Sequence, residues 1–367
     1  MQHALDLARK ALWLTSPNPR VGCVITAADG TLLGQGHTQR AGGPHAEIMA
    51  LRDATQRGHS VQGATAWVTL EPCAHQGRTG PCCDALAAAG IGRVVAAMTD
   101  PNPLVAGQGM ARLAAAKVQT ETLSPDSDIA RQARELNVGF FNRMEHGLPW
   151  VRLKVAASLD GQTALQNGQS QWITGPQARA DGHAWRARAC AILTGIGTVL
   201  EDDPQLNVRG LEVPRQPHLV VVDSRLDMPL TAKLLDTQGA GEHARQIWVY
   251  TATSDQADKR AALTARGVTV IDCPGPGGKV DLAAMLRDLA RREINELHVE
   301  AGHKLNGSFI REGLVDEFLV YLAPQLLGPG QGMAHLPALT ALSDSVKLAF
   351  HDAQRIGPDL RLLLRRA

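Results

Sequence analysis

The feature that most constrains the fold is an alternation of strand-like and helix-like segments that stops once and then begins again. Strands are predicted at 21–26, 32–36, 66–70 and 93–98, and helices at 4–14, 48–54 and 82–89. The regular pattern ends over 140–149, where Gly147 and Pro149 are breakers. Such alternation is typical of an α/β sheet covered on both faces.

The alternation resumes with a strand predicted at 150–157. Further strands are predicted at 191–194, 219–222, 247–250, 268–271, 297–300 and 317–322. We therefore predict two α/β domains, 1–147 and 148–367. The length of 367 residues agrees with this division, because one domain takes roughly 150 residues.

Composition excludes several classes of protein. Lys and Arg total 37 and Asp and Glu total 36, so the net charge of +1 disfavours a nucleic-acid or membrane-surface binder. Aromatic residues make up only 4%, which disfavours stacking on single strands. No apolar stretch approaches the roughly 18 residues of a membrane span, and no signal peptide is recognisable. With only six cysteines, a reduced cytoplasm is expected.

Three short motifs in the first half carry metal-binding residue types. They are PHAE at 44–47, EPC at 71–73 and PC at 81–82. His45, Cys73 and Cys82 offer one imidazole and two thiolates, which leaves the fourth position of a tetrahedral zinc site open. An open position is typical of catalytic zinc. A helix start at His45 and Cys82 also favours the thiolate form that a metal ligand must take.

Glu47 is the predicted catalytic group of this site. It follows His45 by two residues, so on a helix it projects about 200° away and stands beside the metal. Zinc lowers the pKa of bound water, and a neighbouring carboxylate can carry the released proton. In zinc deaminases this glutamate protonates the departing ammonia.

Two alternatives remain open from the residues alone. His75 and Cys83 are rival ligands that would turn the site into a structural zinc module beside a nucleotide-sensing domain, although Cys83 directly follows Cys82 and would point elsewhere on a helix. The other alternative is a nucleic-acid-editing deaminase with a C-terminal binding domain. The eight residues between Cys73 and Cys82 disfavour it, because the general deaminase signature has only two there.

The second half has no complete nucleotide-binding fingerprint. Gly195 and Gly197 form a G-x-G after a predicted strand, but Leu200 occupies the third glycine position of a Rossmann turn. The stretch EAGHK at 300–304 could cradle a phosphate, whereas GPGQG at 328–332 is predicted to be a flexible loop. Asp202 could simply cap a helix.

Eight stretches together resemble one family. TSPNPRVGCVI, GGPHAEIMAL, TLEPCAHQGRTGPCCDAL and DPNPLVAGQGM resemble the deaminase half of the bifunctional deaminase–reductases of bacterial riboflavin biosynthesis. LKVAASLDG, SQWITG, TGIGTVLEDDPQLNVR and VEAGHKLNG resemble the reductase half. The resemblance implies an N-terminal cytidine-deaminase-like α/β/α sandwich and a C-terminal dihydrofolate-reductase-like α/β domain.

The same resemblance implies the chemistry. Zinc-dependent deamination of 2,5-diamino-6-(5-phosphoribosylamino)pyrimidin-4-one would precede reduction of the ribosyl side chain to ribityl by NADPH. His45, Cys73 and Cys82 would hold zinc, Glu47 would be the proton donor, and Asn18 would lie near the pyrimidine. A small-molecule substrate, no nucleic acid, no membrane and a homo-oligomer (dimer or tetramer) are expected.

In the reductase half, the resemblance implies two sets of residues. The NADPH side comprises Ala156, Trp172, Thr198, Asp202, Ser224 and Gly302. The substrate side comprises Lys154, Ser170, Arg186, Leu206, Arg209 and Glu300. Arg186 and Arg209 suit a phosphate, because a guanidinium binds it through two parallel hydrogen bonds. We further hypothesise that Lys154 helps the ribose open before hydride transfer.

Overall fold

The structure is a computed structural model that describes residues 1–75, 80–103, 106–237 and 244–367. These residues form two compact units, Met1–Leu148 and Pro149–Ala367. Within the described ranges, no helix has both the length and the apolar character that crossing a membrane requires.

The first unit is a mixed sheet with helices. Its described helices are α1 (Gln2–Lys10), α2 (Ala46–Gln56), α3 (Cys82–Ala88), α4 (Gln108–Ala115), α5 (Asp128–Leu136) and α6 (Val138–His146). Its described strands are β1 (Gly22–Thr26), β2 (Leu32–His37), β3 (Thr65–Val68), β4 (Arg93–Ala96) and β5 (Gln119–Thr122). The strand order is β2-β1-β3-β4-β5, with β1 antiparallel to both neighbours and β3, β4 and β5 parallel.

Glycines set how closely the helices approach this sheet. A Cβ on Gly22 of β1 would lie 1.9 Å from the Ala4 carbonyl oxygen of α1. A Cβ on Gly34 of β2 would lie 2.3 Å from the Ala50 oxygen of α2. Since real Cβ atoms do not come so close to other atoms, only glycine lets α1 and α2 lie directly on these strands.

The predicted end of regular structure near Phe140 is wrong. Phe140 and Phe141 are buried on α6, which continues to His146 and ends at Gly147 with a φ of 68°. Glycine adopts this left-handed conformation without steric cost and so terminates the helix. The first helix also differs from its predicted 4–14, because α1 ends at Lys10 and turns follow it.

The second unit contains one large sheet and a small one. Its described helices are α7 (Pro176–Arg188), α8 (Ile196–Asp202), α9 (Ala257–Ala265), α10 (Leu282–Arg291) and α11 (His303–Arg311). Its described strands are β6 (Trp150–Ser158), β7 (Gln162–Leu165), β8 (Ala191–Gly195), β9 (His218–Val222), β10 (Ile247–Thr251), β11 (Val268–Asp272), β12 (Glu296–Val299), β13 (Glu317–Ala323), β14 (Gly330–Gly332), β15 (Leu348–Ile356) and β16 (Asp359–Arg366).

The large sheet has the order β11-β10-β9-β8-β12-β6-β13-β16-β15. In this order, the seven strands from β11 through β13 are all parallel to one another. The β15–β16 hairpin extends the sheet at the β13 side, where β16 pairs antiparallel to β13 and β15 pairs antiparallel to β16. Gly330–Gly332, predicted as part of a flexible loop, instead pairs with β7 in the small sheet. A Cβ on Gly330 would lie 2.2 Å from the Ala164 oxygen, so this pairing requires glycine.

A buried charge network lies on one face of the central strands. Arg152 on β6 binds Glu317 of β13 at 2.6 Å and Glu296 of β12 at 3.1 Å. Its guanidinium also stacks on the Trp185 ring at 4.5 Å. Each of the three charged side chains is at most 2% exposed. This part of the sheet therefore depends on paired charges as well as on apolar packing.

Candidate active sites

Three metal-ligating side chains converge in the first unit. His45 is the residue immediately before α2, Cys82 is the first residue of α3, and Cys73 follows β3. The His45 Nδ1 atom lies 3.6 Å from the Cys73 sulfur and 3.3 Å from the Cys82 sulfur. All three ligand atoms lie within 4.8 Å of one another.

This donor set fits zinc. Tetrahedral zinc with normal bonds to nitrogen and sulfur places its ligand atoms about 3.5–3.8 Å apart, close to the distances found. The backbone N–H of Cys82 donates to the Cys73 sulfur at 3.4 Å. Hydrogen bonds from Cys82 and His45 lower the pKa of Cys73, which favours the thiolate form that binds metal.

Glu47 is the second residue of α2, in its first turn, and is only 3% exposed. Burial, together with the negative charge of Cys73, raises the pKa of Glu47 to about 7. A carboxyl group with this pKa can both accept and release a proton near neutral pH. It does not belong to the three-residue donor group among the described residues, in keeping with a place beside the metal.

Glu71 organises the same site, and sequence reasoning assigned it no role. Its carboxylate accepts four backbone hydrogen bonds, from Asp100, Gly107, Gly109 and Met110, at 2.9–3.2 Å. The start of α4 is thereby fixed to the segment that carries Cys73. The sequence contained a hint of this role. An acidic residue directly after a buried strand needs hydrogen-bond donors, and the GQG stretch at 107–109 can supply backbone N–H groups.

The rival ligands lie elsewhere. Cys83 is 1% exposed in the apolar core, and its sulfur lies 3.7 Å from Asp84 Oδ1. Within the described part of the chain, neither Cys83 nor His75 joins the donor group. The extended loop between Cys73 and Cys82 includes 76–79, which lie outside the described residues. The donor group therefore favours an open fourth position over a structural zinc module.

The second unit contains two overlapping cavities of about 710 and 500 Å³. These volumes are in the range of cofactor and substrate sites. Eleven of the predicted residues line them, namely Lys154, Ala156, Ser170, Trp172, Arg186, Thr198, Asp202, Leu206, Arg209, Glu300 and Gly302. Residues distant in sequence are thus brought to one place.

The larger cavity suits a phosphate-bearing cofactor. Gly302 is the residue immediately before α11, whose first N–H groups are donors for an anion. A Cβ on Gly302 would have Thr198 Oγ1, at 3.8 Å, as its nearest atom, so the helix start opens into free space. Trp172 adds a ring that is 67% exposed and stacked by Arg179 at 4.5 Å.

Glu300 is the electrostatic centre of the smaller cavity. Arg186 donates to its two oxygens at 2.5 and 2.9 Å, and Lys154 Nζ lies 3.8 Å away. Although burial acts to raise it, the charges of Arg186 and Lys154 hold the pKa of Glu300 well below its usual range. The guanidinium that sequence analysis assigned to a phosphate is therefore bound to a carboxylate of the same chain.

Side chains from elsewhere hold the backbone of Leu206–Arg209, beside this cavity. The contacts are Arg245 Nη2 to Leu206 O (2.9 Å), Arg186 Nη1 to Asn207 O (3.0 Å), Gln216 to Val208 N and O (2.7 and 3.1 Å), and Arg209 N to His183 Nδ1 (3.2 Å). None of the three holding residues His183, Gln216 and Arg245 was recognised from sequence. Only His183 offered a signal, since it lies three residues before Arg186 on one helix face.

Two residues predicted to belong to the sites lie outside the lining of these cavities. Ser224 is absent from the described lining of both cavities, and its hydroxyl accepts a hydrogen bond from the Val280 N–H at 3.2 Å. Asn18 is half-buried in the bend that precedes β1.

Comparisons with known proteins agree with this geometry. Residues 149–362 match the family model of the RibD C-terminal domain, and residues 1–98 match that of the cytidine and deoxycytidylate deaminase zinc-binding region. The riboflavin biosynthesis protein RibD of Escherichia coli K12 is 44% identical over 99% of this chain and 98% of its own length. The chain belongs to the RibD family.

Solved structures give the same relationship. The Acinetobacter baumannii RibD structure is 41% identical, with a TM-score of 0.88 over 100% of this chain and 97% of that one. A diaminohydroxyphosphoribosylaminopyrimidine deaminase/5-amino-6-(5-phosphoribosylamino)uracil reductase from Thermotoga maritima is 29% identical, with a TM-score of 0.85 over 100% of this chain and 97% of that one.

Membership of the RibD family confirms the predicted fold class, a cytidine-deaminase-like unit followed by a RibD reductase unit. The chain is a bifunctional deaminase and reductase of riboflavin biosynthesis, with zinc for the first activity and NADPH for the second. The nucleic-acid-editing alternative is not favoured.

Proposed function

We propose that Met1–Leu148 carries out the deamination and Pro149–Ala367 the reduction. The observation that supports this division is that His45, Cys73 and Cys82 form a donor group inside the first unit, where Glu47 also lies, whereas the cavities lined by Lys154, Arg186 and Glu300 lie inside the second. From the activity named for the Thermotoga protein, we infer diaminohydroxyphosphoribosylaminopyrimidine as the first substrate and 5-amino-6-(5-phosphoribosylamino)uracil as the second.

In the deaminase site, His45, Cys73 and Cys82 would hold zinc. When bound, zinc lowers the pKa of a water molecule and so makes a nucleophile available. Glu47 takes up a proton within this buried site and delivers it to the departing 2-amino group. Its raised pKa suits both steps. Asn18, half-buried in the bend before β1, contacts the pyrimidine.

In the reductase site, NADPH supplies the hydride. Ala156, Trp172, Thr198, Asp202 and Gly302, which line the larger cavity, form the cofactor side. Ser224 was predicted for the same role, but its position at Val280 lends it no support.

Ser170, Arg186, Leu206, Arg209 and Glu300 form the substrate side of the reductase site. Glu300 fixes the direction of the Arg186 and Lys154 side chains. Burial lowers the pKa of Lys154, which eases proton transfer from its ammonium group while the ribose ring opens.

We propose further that the chain forms a cytoplasmic homo-oligomer through the edge strand β15. Apolar side chains are exposed on and before this strand, including Leu342 at 88% and Phe350 at 71%. An exposed edge with apolar side chains is a template for pairing with a second copy. Phe350→Lys should lower the mass measured by light scattering. An unchanged mass would reject this interface.

A two-step assay of Glu47→Ala tests the division of labour. The variant should lose ammonia release from the first substrate but retain bound zinc. It should still oxidise NADPH when the deaminated substrate is supplied, since the reductase residues lie in the other unit. Loss of NADPH oxidation with that supplied substrate would contradict two separate sites.

A further inference from the structure

His183 occupies the substrate end of the smaller cavity. It lies on α7 three residues before Arg186, so both side chains leave the same helix face. It lines the 500 Å³ cavity together with Lys154, Arg209 and Glu300. His183 thus lies among the groups proposed to bind the substrate.

The hydrogen bond at one ring nitrogen determines what the other can do. Nδ1 of His183 lies 3.2 Å from the backbone nitrogen of Arg209 and accepts its N–H. In a neutral imidazole the proton then lies on Nε2. No residue of the described ranges forms a hydrogen bond with Nε2, so this donor is available to a ligand.

The ring is neutral at physiological pH. Burial and the positive charges of Arg186 and Arg209 lower the pKa of His183 to about 4. Lys154 lowers it further, and only the carboxylate of Glu300 opposes the shift. His183 therefore donates from Nε2 without having to take up a proton.

The charges near His183 leave room for an anion. Glu300 already pairs with Arg186 and faces Lys154. The Arg209 guanidinium binds only neutral acceptors among the described residues, the side-chain oxygens of Gln205 and Asn207 at 3.3 and 2.7 Å. Positive charge thus exceeds negative charge here, and a dianionic group would balance it.

We propose that His183 recognises the phosphate monoester of the reductase substrate. Its Nε2–H donates to a phosphate oxygen, and its Nδ1 holds the backbone of Arg209 so that the guanidinium reaches the same phosphate. This assignment rests on the proposed function, since the phosphoribosyl group belongs to the substrate inferred there.

Two variants separate the two ring nitrogens. In His183→Asn, the amide oxygen can replace Nδ1 as acceptor for Arg209, but the donor at Nε2 is lost. Its KM for 5-amino-6-(5-phosphoribosylamino)uracil should rise about tenfold, as expected for a lost hydrogen bond to a charged group. His183→Ala removes both contacts and should raise KM by about a hundredfold. In both variants kcat should stay within about twofold of wild type.

The phosphate dependence is the decisive readout. The KM for the dephosphorylated substrate should not change in His183→Asn. In calorimetry, His183→Asn should bind ribose 5-phosphate about tenfold more weakly than wild type does, which matches the expected rise in KM. His218→Asn is the matched control, because His218 Nδ1 also accepts a backbone N–H, from Gln246 at 2.9 Å, but lies outside the described cavity lining.

An unchanged KM in His183→Asn would overturn the proposal, and so would an equal rise with the phosphorylated and dephosphorylated substrates. Failure of the proposed function would look different. In that case the wild-type chain itself would not oxidise NADPH with the phosphorylated substrate.

Discussion

Two buried glutamates, one in each unit, have opposite electrostatic environments. Glu47 lies near the negative Cys73, and burial raises its pKa to about 7. Glu300 lies between Arg186 and Lys154, whose charges hold its pKa well below the usual range. The same residue type is thus suited to carry a proton in the first unit and to remain an anion in the second, because the neighbouring charges differ.

The two sites also differ in how they are assembled. The first takes its metal ligands from two helix starts and one loop after a strand. The second takes Lys154 from β6, Arg186 from α7 and Glu300 from the residue that directly follows β12. The first site should therefore depend on a metal and the second on the pairing of charges.

Zinc removal should produce the largest difference between the activities of the two units. Chelation is expected to abolish ammonia release, because Glu47 alone cannot supply the nucleophile. NADPH oxidation with supplied deaminated substrate should persist, since the donor group lies entirely in the first unit. Both activities can be followed in one dialysed sample, with zinc added back as the control. Parallel loss and parallel recovery of the two activities would contradict independent sites.

Breaking the buried charge network should destabilise the second unit alone. Arg152→Leu leaves Glu296 and Glu317 buried without this partner, which should cost about 3–5 kcal/mol of unfolding free energy. Hydrogen exchange under increasing urea can read this loss from peptides of β6, while peptides of β1 should not change.

Arg225→Leu is the matched control for Arg152→Leu. It removes an ion pair to Asp227 whose arginine is 83% exposed, so stability should change by less than about 0.5 kcal/mol. Equal effects of the two substitutions would show that the buried network stabilises no more than a surface pair does.

Acid should weaken the second unit through Glu317. Burial acts to raise the pKa of Glu317, but the positive charge and hydrogen bond of Arg152 outweigh burial and lower this pKa from 4.5 to about 2. A carboxyl group whose pKa is lowered by folding stabilises the fold at pH values above its unfolded-state pKa. That stabilisation is lost as the pH falls through the range between the two pKa values, here from about 4.5 to about 2. The difference corresponds to about 3 kcal/mol. In Glu317→Gln, stability should be lower at pH 7, and the gap to wild type should narrow as pH falls toward 2.

A gap between wild type and Glu317→Gln that stays constant from pH 7 to pH 3 would exclude this explanation. The measurement is urea unfolding at each pH, with hydrogen exchange of β13 peptides as the local probe.

The convergence of His45, Cys73 and Cys82 could be predicted from sequence because few residue types bind zinc, and their spacing after a strand and at helix starts is local. The roles of Glu71, His183 and Arg245 could not, because each depends on backbone groups far along the chain. Sheet edges were missed for another reason. All four residues of β5 are exposed, and β15 has no buried residue, so neither strand carries the apolar alternation on which strand prediction depends.

Cys83 provides the sharpest test of the metal site, with an expected effect smaller than that of Arg152→Leu or Glu317→Gln. It is adjacent to Cys82 in sequence, yet its side chain packs in the apolar core of the first unit. Cys83→Ala should therefore cost only about 1 kcal/mol of stability, from lost apolar contact. Zinc content should remain one per chain, and ammonia release should stay near wild type, whereas Cys82→Ala should lose both. Loss of zinc in Cys83→Ala would make Cys83 a ligand after all and close the fourth position that the deaminase mechanism needs.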